Sequence, residues 1–482
     1  DGSPGTTWVI DPSDDLDPTP LLAWLAEPDA PYVVMHGAQV AVHRLLQWAQ
    51  DDQAPIPARL GCTQVAAVLL AEGARRGLPD LPQCVARALD RPWPHDESEP
   101  QPLLAGPQGP QAAATAASVL VPLMRALTPM LRQRDLARVF DLECHLVPAV
   151  VAMERAGVGV DAAGFQRIVD GWQREQPTAT EPERQARLAK LVSTYGYWPR
   201  EYISGDRIHC RLHPLAADSG RFSCTEPNLQ QVATEHVAPG LRACFRAAPG
   251  HVLVVADYAQ IELRVAAHLA PCEAMRAVFR EGRDPHRATA ATLAGKPEAE
   301  VTPRERQLAK AVNFGFLFGM GAPRFRSYAK TSYGLDLDME QAQRARAAFL
   351  RTFPGIAAWH RRVGQLGRGP APRAVTVRTA LGRRKRFDAE RFSFNAALNI
   401  PVQGTAADGF KLAMIRLHPA LRELGGRGIL SIHDEYLAEV PAAHADRARA
   451  VVEQTMRDAM QEIVTSVPIE VEALVAQSWA DK

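Results

Sequence analysis

The chain lacks a CxxC cysteine pair. Its seven cysteines are scattered and odd in number, so neither a disulfide framework nor a zinc site is expected, and a reducing compartment is the default. It also lacks a charge surplus. Lys and Arg total 55 against 54 Asp and Glu, a net charge of +1, so bulk charge does not announce a nucleic-acid partner. No lysine occurs before Lys190; arginine alone supplies the cations up to that point. With the heavy use of Ala and Pro, this looks like the bias of a GC-rich genome. No apolar run reaches bilayer length and no basic-then-apolar leader opens the chain, so no membrane partner is expected. Finally, no Asp or Glu lies between Glu99 and Asp135.

What is present is ordinary for a soluble globular protein: 46% apolar and 23% charged residues. A chain of 482 residues has room for two to four domains, each with its own core. Short strands and helices alternate through residues 1–131: strands within 1–12 and at 32–35, and helices at 21–26, 38–48, 62–76, 81–89 and 112–131. A Pro-rich loop is expected at 93–111. This alternation suggests an α/β domain. Helical periodicity follows at 139–156, 162–174 and 183–192, with a linker at 177–180. The run HVLVVA at 251–256 reads as a buried strand. A hairpin is expected from 428–432 and 436–440, then a helix at 443–463 and a strand at 467–474.

The stretch RQLAKAVNFGFLFG opens at Arg306. Arg306, Lys310, Phe314 and Phe318 recur every fourth residue, which on a helix makes one stripe about 18 Å long. Two cations suit phosphate oxygens and two rings suit a base or sugar. The plainer alternative is an amphipathic helix with Phe inside and Arg/Lys in water. Asp257 ends the apolar strand just before a helix, a position well placed to hold a divalent ion. His433, Asp434 and Glu435 form an acidic hairpin tip, for which a polar turn is the alternative. The basic run TALGRRKR at 379–386 is either a solvated hairpin or a contact to backbone phosphate. Asn395, Asn399 and Gln403 repeat every fourth residue along a further helix.

Together these motifs resemble family A DNA polymerases. The matching runs are DSGRFS at 218–223, PNLQ at 227–230, DYAQIELR at 257–264, DPHRATA at 284–290, the stripe itself and IHDE at 432–435. The resemblance is strong from Arg221 to the end. It implies an α+β multidomain fold of the right-hand type: a shortened thumb at 136–200, palm at 201–271 and 421–482, and fingers with primer- and template-contacting helices at 272–420. Ahead of these, 1–135 would be an α/β ribonuclease-H-like domain of the 3′–5′ exonuclease type.

By the same resemblance the reaction is template-directed nucleotidyl transfer. Two Mg2+ ions, with Mn2+ as a substitute, would be held by Asp257, Asp434 and the Tyr258 carbonyl. Glu435 joins the catalytic set, and Lys310 is the candidate acid for the leaving pyrophosphate. Arg306, Lys310 and His286 would hold the triphosphate, Phe314 would stack on the incoming nucleotide, and Gln260 would lie against it. Glu262 would cover the sugar C2′ and exclude ribonucleotides. Phe318 stands where the family has Tyr, so Glu262 is expected to be less firmly fixed. Arg221, Asn228, Gln230, Asn395, Asn399, Gln403, His433, Arg383 and Arg384 would contact DNA; at Asn395 the family has Arg. The implied partners are primer–template DNA and deoxynucleoside triphosphates. The implied state is a monomer in a bacterial or phage-infected cytoplasm, at the nucleoid.

The N-terminal block resembles the family exonuclease domain only in part. His36 to Ala41 matches a motif whose last residue should be a metal-binding Asp, and here it is Ala41. The acid-free interval after Glu99 removes a second cluster, and the family's first acidic strand would lie ahead of residue 1. Two-metal hydrolysis needs those carboxylates, so a scaffold without proofreading is expected. Two rival readings stay open: a silent nucleic-acid-binding scaffold, and a specialised polymerase for repair, lesion bypass or RNA templates.

Overall fold

The structure, a computed structural model, describes residues 16–74, 77–91, 93, 109–366 and 373–481. The strand expected within 1–12 and most of the loop expected at 93–111 lie outside them.

The centre is a four-stranded sheet in the order Arg427–Ile432, Glu435–Pro441, His251–Tyr258, Val471–Ala476, every neighbour antiparallel. Val252 to Ala256 are all buried, because the helices Phe394–Arg422 and Ala445–Ile463 cover the sheet. Each buried Val or Leu contributes about 1.5–3 kcal/mol relative to exposure. The central strand runs two residues further than its apolar run, to Tyr258. Asp257 therefore lies inside the ladder, paired in register with Glu435. The last strand starts at Val471 rather than 467; Val467 and Ile469 are buried, but Pro468 between them has no N–H to give a ladder.

Three of the four stripe residues, Arg306, Lys310 and Phe314, lie on one helix as expected. The Pro303–Leu317 helix opens with Pro303 in its first turn and a capping box in which Thr302 and Glu305 bond reciprocally. It closes one residue short of the stripe: Phe318 is the C-cap, and Gly319 at φ +74° turns the chain away. Asn395, Asn399 and Gln403 lie on the Phe394–Arg422 helix.

The N-terminal block differs from expectation at one element. Leu60–Cys62 is a strand, parallel to Val33–Met35, and only Thr63–Leu70 is helical. The membrane expectation also needs correction: Ala112–Gln133 is long and apolar enough, by composition alone, to cross a bilayer. Its Val119, Leu123, Leu127 and Leu131 are buried in the N-terminal core, and Pro122 and Pro129 lie within the helix.

The basic run 379–386 is corrected as well. Val375–Arg378 and Arg384–Phe387 form a hairpin, but Arg383 is only 5% exposed. Its guanidinium donates to Asp408 at 2.7 and 2.9 Å and pairs with Glu143. Lys411, fully buried, bonds the same Glu143 at 2.6 Å and the Pro214 carbonyl at 2.8 Å. Burial pushes the Glu143 carboxyl up, but Lys411 and Arg383 outweigh it and hold it below its ordinary value. Burial pushes Lys411 down to about 8. Arg384 pairs with Glu72 at 3.0 Å and bonds the Arg134 carbonyl, and Lys385 bonds the Gly73 carbonyl. Desolvated and committed to carboxylates, Arg383 has nothing left for a DNA phosphate. Arg384 is likewise turned toward the N-terminal block.

Candidate active site

The acids meet because two strand ends adjoin. Asp257 lies opposite Glu435, and the turn His433-Asp434 leads directly into that strand. His433 and Gln260, on either side of the site, both adopt left-handed backbone at φ +57° and +55°, unusual for non-glycine residues. Burial, and after it the charge of Asp257, pushes the Asp434 carboxyl up to about 7, with Arg221 opposing. Tyr258 is buried, and its hydroxyl donates to the Met456 carbonyl at 2.7 Å. Glu435 is 8% exposed and accepts from the Trp479 indole at 2.9 Å. It ties the C-terminal turn to the sheet and is not among the residues lining the cleft.

That cleft has a volume of about 460 Å3. It is lined by Asp434, His433, Tyr258, Gln260, Glu262 and Arg221 and by His286, Arg306, Lys310 and Phe314 from the two helices Pro285–Ala294 and Pro303–Leu317. Phe318 does not join them. It lines a neighbouring groove with Asn395, Asn399 and Arg324. There Asn395 donates to the Phe318 carbonyl at 2.6 Å, which holds the turn after the stripe helix.

Arg306 is already occupied: its Nε donates to Asp284 at 2.5 Å, and Asp284 also caps the next helix through the His286 N–H. His286 is buried against Phe314, ring centroids 5.8 Å apart. Burial pushes its imidazole down to about 4; Asp284 opposes this, while Arg306 and Lys310 add to it. It is therefore a neutral ring at physiological pH.

Glu262 is held more firmly than the loss of a Tyr at Phe318 suggests. Arg221 Nη2 donates to its Oε1 at 2.7 Å and Gln403 Nε2 at 3.1 Å. Both donors come from groups assigned to DNA on the sequence, so Glu262, Arg221 and Gln403 form one hydrogen-bonded network. Gln230 donates to the Ser431 carbonyl at 2.9 Å, and the Asn228 side chain caps the turn that carries Gln230. Both brace the segment behind Arg221. Sequence reasoning did not assign Asp284 as the partner of Arg306, nor single out Asn313 on the stripe helix. Only the spacing of Asp284 from His286 carried a signal.

The donor set suits a hard divalent cation. Asp434 lines the cleft and Asp257 lies behind it, opposite Glu435 in the ladder; burial first and the Asp257 charge second disfavour a bare Asp434 carboxylate. A cation between them would relieve that repulsion. Among the described residues no group of three or more His, Cys, Asp or Glu side chains is placed to hold a metal. Two carboxylates are nonetheless the usual protein share of a Mg2+ site whose other oxygens come from phosphate and water.

Residues 152–481 match the family DNA polymerase family A, and the chain belongs to that family. It is 37% identical over 367 residues to the thermostable DNA polymerase I of Thermus filiformis, covering 73% of this chain and 42% of that protein. It is 36% identical over 476 residues to DNA polymerase I of Deinococcus radiodurans, covering 83% of this chain and 46% of that protein. The chain thus spans less than half the length of these relatives. Among solved structures, the POL domain of Pol1 from M. smegmatis, in complex with DNA primer-template and dNTP, aligns with a TM-score of 0.80. That alignment covers 95% of this chain and 88% of the other at 24% identity, a likeness of fold.

Proposed function

We propose that the chain is a template-directed DNA polymerase that extends a primer 3′-hydroxyl with deoxynucleoside triphosphates. One observation carries this reading: Asp434 lines one cleft with the Arg306–Lys310–Phe314 face of a single helix, and the ladder sets Asp257, distant in sequence, opposite Glu435, the residue next to Asp434. Asp257, Asp434 and the Tyr258 carbonyl would hold two divalent ions, Mg2+ by preference. Bound there, the ions would supply an activated primer hydroxyl and a neutralised leaving group. Arg306, released from Asp284, and Lys310 bind the triphosphate, and His286 donates a hydrogen bond without adding charge. Lys310 passes a proton to the departing pyrophosphate. Phe314 stacks on the incoming nucleotide, and Glu262 excludes a 2′-hydroxyl. Arg221 donates to minor-groove acceptors that all correct pairs share.

The central sheet would then be the palm, 272–420 the fingers and DNA-contacting helices, and 136–200 a short thumb. The working unit is a monomer in a bacterial cytoplasm. Primer extension on DNA, RNA and lesion-bearing templates, with the product sequenced, tests this reading; extension that ignores the template on all three would refute it.

Residues 1–135 would act as a scaffold without proofreading. Ala41 stands in the acid's place. Glu72 is paired with Arg134 and Arg384, and Glu154, just beyond the block, with His43. A labelled single strand incubated with Mg2+ should stay intact; metal-dependent 3′ shortening would overturn this.

A further inference from the structure

The helices Pro285–Ala294 and Pro303–Leu317 pack against each other, and a buried amide joins them. Asn313 and Thr289 are 0% exposed and His286 is 2%. Asn313 Nδ2 lies 3.1 Å from the Pro285 carbonyl and 2.9 Å from His286 Nδ1, and Asn313 Oδ1 lies 2.7 Å from Thr289 Oγ1.

An amide can be turned over by exchanging its oxygen and nitrogen, so its orientation has to come from its partners. Here they decide it. The Pro285 carbonyl can only accept, so the NH2 group must face it. The second N–H of that group then points at His286 Nδ1, and Thr289, whose hydroxyl lies 3.0 Å from the Pro285 carbonyl and 2.7 Å from the amide oxygen, gives its one proton to the nearer amide oxygen. A ring nitrogen that accepts carries no proton. The imidazole is neutral, so its proton sits on Nε2, across the ring from Asn313.

We propose that Asn313 is a positioning residue of the nucleotide site: it fixes His286 as the Nε2–H tautomer, which offers one uncharged donor to an anionic oxygen in the cleft. The second part rests on the polymerase reading above; the tautomer itself does not. The arrangement has a clear use. Arg306 and Lys310 already supply two cations to this wall. A wrong tautomer would present a bare nitrogen lone pair to phosphate, which repels it, whereas an N–H attracts it. Asn313 and Thr289 are fully buried, so bulk solvent offers the amide no other partners.

Two measurements on the full chain test this. The first is 15N NMR of the histidine-labelled protein without nucleotide, with His286 identified by the signal lost in His286→Gln. Wild type should show an unprotonated Nδ1 and a protonated Nε2. Asn313→Asp, whose carboxylate only accepts, should move the proton to Nδ1. A wild-type ring protonated on Nδ1, or no change in Asn313→Asp, overturns the proposal. If the acid prevents folding, Asn313→Ser serves instead, and mixed tautomers are expected.

The second is steady-state primer extension. Asn313→Asp should raise KM for the nucleotide by about tenfold, the worth of one misdirected hydrogen bond to a charged group, with kcat moving less. In a His286→Gln background the same change should add less than a twofold effect. Multiplicative losses would show that Asn313 acts independently of His286 and refute the positioning role. If wild type extends no primer, the nucleotide reading fails, and the tautomer stands or falls on the spectra alone.

Discussion

Replacing Asp434 by Asn should stabilise the protein while destroying its activity. Without divalent ion the Asp434 carboxyl is pushed up to about 7, by burial and then by the Asp257 charge. In the unfolded chain it titrates near its ordinary 3.8. Between about pH 4 and pH 7 the folded chain therefore binds more protons than the unfolded one, and stability falls as pH rises through that window. Above pH 7 the folded protein carries the full penalty of the ionised group. At ~1.4 kcal/mol per tenfold change in proton affinity, the displacement from 3.8 to about 7 is worth ~4 kcal/mol. Asp434 is partly exposed, and solvent screening reduces this to ~1–2 kcal/mol. Asn keeps the shape and removes the charge. At pH 8 in chelator, Asp434→Asn should therefore melt about 1–2 °C above wild type, and at pH 4 the difference should vanish. Mg2+ at ten times its Kd should add about 1.4 kcal/mol to wild type and much less to the variant. Calorimetric scans at the two pH values, with chelator and with Mg2+, measure all of this. A variant less stable than wild type at pH 8 in chelator would refute the charge-crowding argument, and equal stabilisation of both proteins by Mg2+ would refute the role of Asp434 in holding the ion.

Gln403→Leu removes one of the two donors on Glu262 and should relax ribonucleotide exclusion about tenfold, the lower range for a hydrogen bond to a charged group; kcat/KM for paired deoxy- and ribonucleotides reads it, and an unchanged ratio contradicts the network. Phe318→Tyr should tighten exclusion less than Gln403→Leu relaxes it, because Glu262 already has Arg221. Arg383→Met leaves Asp408 without its cation and should cost about 3–5 kcal/mol, read from the denaturation midpoint; a loss of DNA affinity at unchanged stability would restore the phosphate-contact reading.

The acids were legible in the sequence because local patterning marked them. Asp257 ends an unbroken apolar run and Asp434 tips an alternating hairpin, and the ladder register then brings them together. The stripe was legible through its every-fourth-residue spacing, except at its end, where Gly319 at φ +74° stops the helix and sends Phe318 to another groove. Leu60–Cys62 was not legible, because a three-residue strand centred on Gly61 exists only through its pairing with Val33–Met35. Arg383 was misread for the opposite reason. Its sequence neighbours are cations, but its partners Glu143 and Asp408 come from distant helices that bury it. Asn313 gave no periodic signal, since its meaning lies in His286 and Thr289 on a second helix.

The most direct test of the central claim is single-turnover primer extension by wild type, Asp257→Ala and Asp434→Ala at saturating DNA, deoxynucleotide and Mg2+, with circular dichroism as the check on folding. Wild type should copy the template, and each folded variant should lose at least about a thousandfold in rate, ~4 kcal/mol of transition-state stabilisation. A folded Asp434→Ala protein extending primers at the wild-type rate would contradict the two-carboxylate mechanism.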